Sequence, residues 1–79
     1  MSTFGSPSTG ADNVKLDYDG SGNLIYVGIT APGLLTSDNQ WQIRQFVYDG
    51  SGNLLSTLYV DGKKTYTNIW DNRVALTYA

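Results

Sequence analysis

Cysteine and histidine are both missing from this 79-residue chain. Without cysteine there is no disulfide, thiolate zinc site, iron–sulfur cluster or thiol nucleophile. Without histidine, the Ser-His-Asp triad and the commonest metal ligand fall away. Glutamate is missing too, since all seven acidic residues are Asp, against five Lys plus Arg, for a formal net charge of −2. Charged side chains make up 15% of the chain, where about a quarter is usual. That balance argues against nucleic acid or an anionic membrane as a partner, because both call for a basic surface. No apolar run approaches the roughly 20 residues of a membrane span. The opening segment has neither a basic start nor an apolar centre and does not read as a secretory signal. Apolar residues at helical spacing never persist over ten positions, so no long helix is expected.

What remains is 41% hydrophobic and 13% aromatic, enough to fold. A chain of this size gains only about 3–5 kcal/mol from its core, and small domains compensate with disulfides, metals or partners. The first is excluded and ligands for the second are scarce. The expectation is therefore association: a homo-oligomer (a trimer is one acceptable symmetry) or docking on a larger assembly.

Residues 1–13 are rich in Ser, Thr and Gly, with Met1 and Phe4 the large apolar groups. They read as a flexible arm, a frayed terminus or a segment that orders on another chain with Phe4 as its anchor, and contact with another chain is the expectation. Residues 14–79 read as one antiparallel β domain. Val14 to Tyr18 alternates apolar and polar, Asp19-Gly20-Ser21-Gly22-Asn23 is a dense turn signal, and Leu24 to Val27 is β-branched and aromatic: a hairpin. Ala31-Pro32-Gly33 breaks the pattern, and a connector follows in which Ser37-Asp38-Asn39 could cap one helical turn. Trp41 to Tyr48, Asp49 to Asn53 and Leu54 to Val60 form a second hairpin. Asp61-Gly62 predicts a two-residue turn into Lys63 to Thr67, Asp71-Asn72 a bend, and Val74 onward a last strand. The sum is an all-β fold of five to six strands, a small antiparallel sandwich or partly open barrel.

Tyr18-Asp19-Gly20-Ser21-Gly22-Asn23-Leu24 returns letter for letter as Tyr48 to Leu54, thirty residues on. With different surroundings, it reads as one turn type used twice rather than a solenoid repeat. Its first copy also opens like a calcium loop, with oxygen ligands at Asp17, Asp19 and Ser21 and Gly22 at the sixth place. The twelfth place holds Gly28 instead of a bidentate Glu, and the second copy begins at Val47. Turn chemistry accounts for both copies, so no metal and no cofactor is assigned. Nor does spacing make any two Asp converge for hydrolysis, and no catalytic residue is assigned.

Trp41, Trp70 and the six Tyr could stack against sugars, which keeps a host glycan open as a partner. The plainer account is that they supply core and subunit interface, because aromatic area is how a short chain makes a core. On this account Trp41, Ile43, Tyr59, Trp70 and Leu76 are buried. Arg73 could pair with Asp71 or with a carboxylate of a neighbouring chain, fixing register at an interface. The candidate interface set is Phe4, Trp41, Tyr59, Trp70, Asp71, Arg73 and Tyr78.

One resemblance adds to this reading. Tyr26-Val27-Gly28, Ala31-Pro32-Gly33, Trp41-Gln42-Ile43-Arg44, the Tyr-Asp-x-x-Gly-Asn turn, Asp61-Gly62, Ile69 to Arg73 and Leu76-Thr77-Tyr78 together resemble short virion structural proteins of tailed bacteriophages. The resemblance spans Leu24 to Tyr78, and Trp-Asp-Asn-Arg followed by Leu-x-Tyr is its most specific part. It implies a non-enzymatic part of a phage particle, made in the host bacterial cytoplasm and contacting major capsid or tail proteins. Capsid decoration and a neck, tail or fibre position are both consistent with it. The alternative is a glycan-binding module of a tail fibre. The turn also looks like the tyrosine–aspartate repeats of large secreted toxins.

Overall fold

The computed structural model describes residues 13–79. Four strands, β1 (Asn13–Tyr18), β2 (Leu24–Thr30), β3 (Gln42–Tyr48) and β4 (Leu54–Tyr59), form one antiparallel sheet in the order β1-β2-β3-β4. A 3₁₀ helix, η1 (Trp70–Ala75), follows. The proposed arm lies outside the described residues except for Asn13, which is already in β1.

The two hairpins share one register. Leu16 pairs with Val27 and Asp17 with Tyr26; thirty residues later Phe46 pairs with Thr57 and Val47 with Ser56. Both ladders slip just before the turn, between Asp17 and Tyr18 and between Val47 and Tyr48. The cause is local. Asp19 Oδ1 accepts the backbone N–H groups of Ser21 (2.8 Å) and Asn23 (2.9 Å), and Gly22 supplies a φ of 86°. Asp49, Ser51, Asn53 and Gly52 repeat the arrangement with the same two distances and the same φ. Asp and Gly are the residues that can close such a turn, one by accepting and one by left-handed backbone.

Because β side chains alternate, the register sorts the sheet into two faces. Tyr26, Gly28 and Thr30 of β2 share a face with Trp41, Ile43 and Gln45, and this face carries the core of Tyr26, Trp41, Ile43, Val60 and Trp70. Trp70, Leu76 and Tyr78 of the C-terminal segment pack over it, whereas Lys64 lies on the opposite face, against Gln42 and Tyr59. Gly28 is required here: a Cβ would come within 2.4 Å of the Trp70 ring and 3.0 Å of Trp41. The two indoles pack at 5.9 Å between centroids, a geometry worth about 0.5–1.5 kcal/mol beyond the area buried. Trp41 Nε1 donates to the Leu35 carbonyl at 3.0 Å, so its buried N–H is satisfied.

Four expectations are corrected. The sheet has four strands, not five to six, and its second layer is an irregular segment instead of another sheet. Asp61-Gly62 does turn, with φ of 54° and 71° and Lys63 N–H donating to Val60 O, but no strand follows over 63–67. Where a bend and a last strand were expected, η1 runs through Trp70–Ala75, and β pairing survives only where Tyr78 bridges Val60. Here η1 begins at Trp70, whose ring packs directly against Gly28. Asp71 N–H holds the helix to Thr36 O, and the Tyr78 hydroxyl holds its far end by donating to Arg73 O at 2.8 Å. The Ser37-Asp38-Asn39 segment forms a turn rather than a helix, closed by Leu35 N–H donating to Asp38 Oδ2 at 2.7 Å.

Candidate functional site

Of the seven candidate interface residues, four meet in one seam on the covered face. Trp41 is fully buried and Trp70 nearly so. Arg73 lies over the Trp70 ring, 4.5 Å from its centroid, and its Nε donates to Asp17 Oδ2 at 2.9 Å. Tyr78 packs on Tyr26 at 5.6 Å. These side chains spend their surface inside the chain. Both Trp are therefore withdrawn from any stacking platform for sugar.

Arg73 takes Asp17, 56 positions away, as its partner and not Asp71. With both groups about a quarter exposed, the pair is worth about 1 kcal/mol and pins η1 to β1. Asp71 is exposed and contributes its backbone N–H. Tyr59 is half-buried on the opposite face, flanked by the cations of Arg44 (5.4 Å) and Lys64 (5.6 Å). Leu76 is half-buried against the core, and Ile43 is buried in it. Phe4 lies outside the described residues.

Three titratable groups are committed to structure. The Asn23 backbone N–H, with that of Ser21, holds the Asp19 carboxyl below its ordinary value. The Asn53 N–H, then its side chain and the Ser51 N–H, do the same for Asp49. Each carboxylate is thus an acceptor for its own loop. Burial, with a smaller contribution from Tyr26, pushes the Tyr78 phenol well above the ordinary tyrosine range, so it stays a donor. Among the described residues no helix is long and apolar enough to cross a membrane.

The feature that the candidate set missed is the other face of the sheet. Val14 pairs with Ile29 and Leu16 with Val27, so these four share that face with Phe46. None of the five belongs to the core cluster. Val14 and Leu16 remain 49% and 51% exposed. On β1 the pattern is inside-out: the polar Asn13, Lys15 and Asp17 share the face of Trp70, while the apolar residues point away from the core. The alternation of Val14 to Tyr18 announced such a stripe. It did not say which side the core would take.

No family model, curated protein or solved structure matches the chain.

Proposed function

We propose that this chain is a non-enzymatic structural module that works by associating with neighbouring protein in a larger assembly. The observation that carries the reading is the apolar stripe of Val14 and Leu16, which stays half exposed among the described residues. Burying a Val or Leu side chain is worth about 1.5–3 kcal/mol, a sum comparable with what a core of this size supplies on its own. A strand that turns its apolar residues away from its own core leaves that gain for a partner.

The assembly is a tailed-phage particle, on the resemblance of Leu24 to Tyr78 to small virion proteins. Head decoration and a neck, tail or fibre position follow equally from it. A β-sandwich, the architecture expected of a small module of this composition, would arise when a second sheet covers the open face. The test is quantitative mass spectrometry of particles purified from cells producing the chain. A fixed copy number per particle is expected. A chain that stays monomeric and is absent from every particle sinks the proposal.

A further inference from the structure

We infer that Arg44, Lys64 and Tyr59, on the sheet face opposite the core, receive a carboxylate from an extended acidic segment of a neighbouring protein. The inference names a partner for the association reading above and rests on it.

The two cations are held in place. Gln42 is 5% exposed and commits both ends of its side-chain amide. Its Oε1 accepts Arg44 Nε and Nη2 at 3.2 and 3.1 Å, and its Nε2 donates to the Lys64 carbonyl at 3.3 Å. The Arg44 guanidinium and the Lys64 ammonium stand 5.4 and 5.6 Å from the centroid of the Tyr59 ring. A buried amide thus fixes one charge by its side chain and the other by its backbone.

No carboxylate lies within ion-pair distance of either cation among the described residues. The chain has seven Asp for its five Lys plus Arg, yet the ion pair that forms joins Arg73 to Asp17. Arg44 Nη1 has no protein acceptor among the described residues. Two like charges at one ring repel each other, and a carboxylate between them removes that cost. A guanidinium already oriented by Gln42 gives up little rotamer freedom when it takes a charge-assisted hydrogen bond.

The surroundings specify a peptide. The ladders place Leu16, Val27, Arg44 and Tyr59 in one row across this face, with Val14, Ile29 and Gln42 in the next. Charge therefore sits at the β3–β4 end of the row, and the half-exposed apolar stripe of Val14 and Leu16 at the β1 end. Neighbouring strands are about 4.8 Å apart, so Leu16 lies roughly 10 Å from Arg44. In an extended segment, side chains on one side recur every ~7 Å. An acidic residue followed two and four positions later by apolar ones matches this row. A sugar acid would use the cations and leave the stripe bare. A linear segment also needs less area than the roughly 1,200 Å² of a specific interface, and it binds weakly and reversibly.

Amide NMR titration of the full chain tests it, with the capped peptide Asp-Ser-Leu-Ser-Leu as probe. Saturable shifts at Leu16, Val27, Arg44 and Lys64 are expected, with a Kd between about 0.1 and 3 mM. The peptides Asn-Ser-Leu-Ser-Leu and Asp-Ser-Ser-Ser-Ser should each bind at least about 3-fold more weakly. Lys64→Gln should weaken the first peptide at least about 3-fold, and Lys63→Gln should leave its binding unchanged. Both lysines are exposed, so neither substitution removes core. Equal losses from the two would mean net charge alone and overturn the site. No saturation by about 10 mM, indifference to Lys64→Gln, or glucuronate binding as tightly as the peptide also overturn it. So does a dimer of the chain that Lys64→Gln dissolves, since the occupant is then a second copy. A chain that lacks the binding yet appears at fixed copy number in particles loses this site and keeps the structural role. A chain that binds the peptide and is absent from every particle keeps the site and loses the role.

Discussion

The two copies of Tyr-Asp-Gly-Ser-Gly-Asn-Leu are the same turn in different company. Within the loop they agree in every Asp-to-backbone hydrogen bond and in the glycine φ. One residue before it they part. Tyr48, on central strand β3, donates its hydroxyl to Leu24 O at 2.8 Å, whereas Tyr18, on edge strand β1, is 54% exposed. Farther out the hairpins diverge completely: Gly28 lies under Trp70, and its counterpart thirty residues on is Leu58. Local sequence therefore governs the loop, and position in the sheet governs what its flanking residues do.

The sharpest way to stress that contrast is at the diverged position. Gly28→Ala forces a Cβ into the Trp70 ring and should cost about 3 kcal/mol, or abolish folding. Leu58→Ala at the equivalent place should cost about 1–2 kcal/mol, since Leu58 is only half-buried. Urea unfolding of both variants measures the difference, and equal losses would remove the role given to the Gly28–Trp70 contact.

Within the loop the expectation is equality. Gly22→Ala and Gly52→Ala each place a Cβ at a φ of 86°, with open space around it, and each should cost about 1–2 kcal/mol. Losses that differed by more than about 0.5 kcal/mol would mean that the sheet, not the loop, sets the turn.

Next come the tyrosines. Tyr48→Phe removes a half-buried hydrogen bond and should cost about 1 kcal/mol, while Tyr18→Phe should fall within about 0.5 kcal/mol of wild type. Thermal melts of the two separate edge from centre.

The smallest effect is electrostatic. Asp19 and Asp49 are held below the ordinary carboxylate value in the fold. Their contribution is thus present above the unfolded value near 3.8 and lost as pH falls through the folded one. Asp19→Asn and Asp49→Asn keep the acceptor oxygen and should each flatten the acid limb of a stability–pH profile by the same amount. A profile that responds to one and not the other would break the equivalence of the two loops.

Both hairpins were legible in the amino-acid order because their information is short-range: Asp19, Gly22 and Asn23 recognise one another within five residues, as do Asp49, Gly52 and Asn53. The burial of Trp41, Ile43 and Trp70 was legible too, from size and apolarity. The partner of Arg73 was not, because Asp17 comes beside it only once residues 60–79 have folded back across the sheet. Asp71 was the nearer choice along the chain and the wrong one in space.

For the two hairpins, the chain's own letters settle where they turn, which residues extend on either side, and which neighbours on a strand share a side. They leave open which side becomes the inside, since a period of two is the same seen from either face. That choice fell to the close stacking of Trp70 on Gly28, a contact between residues 42 positions apart at the start of the 3₁₀ turn. By occupying one face, it left Val14 and Leu16 on the other.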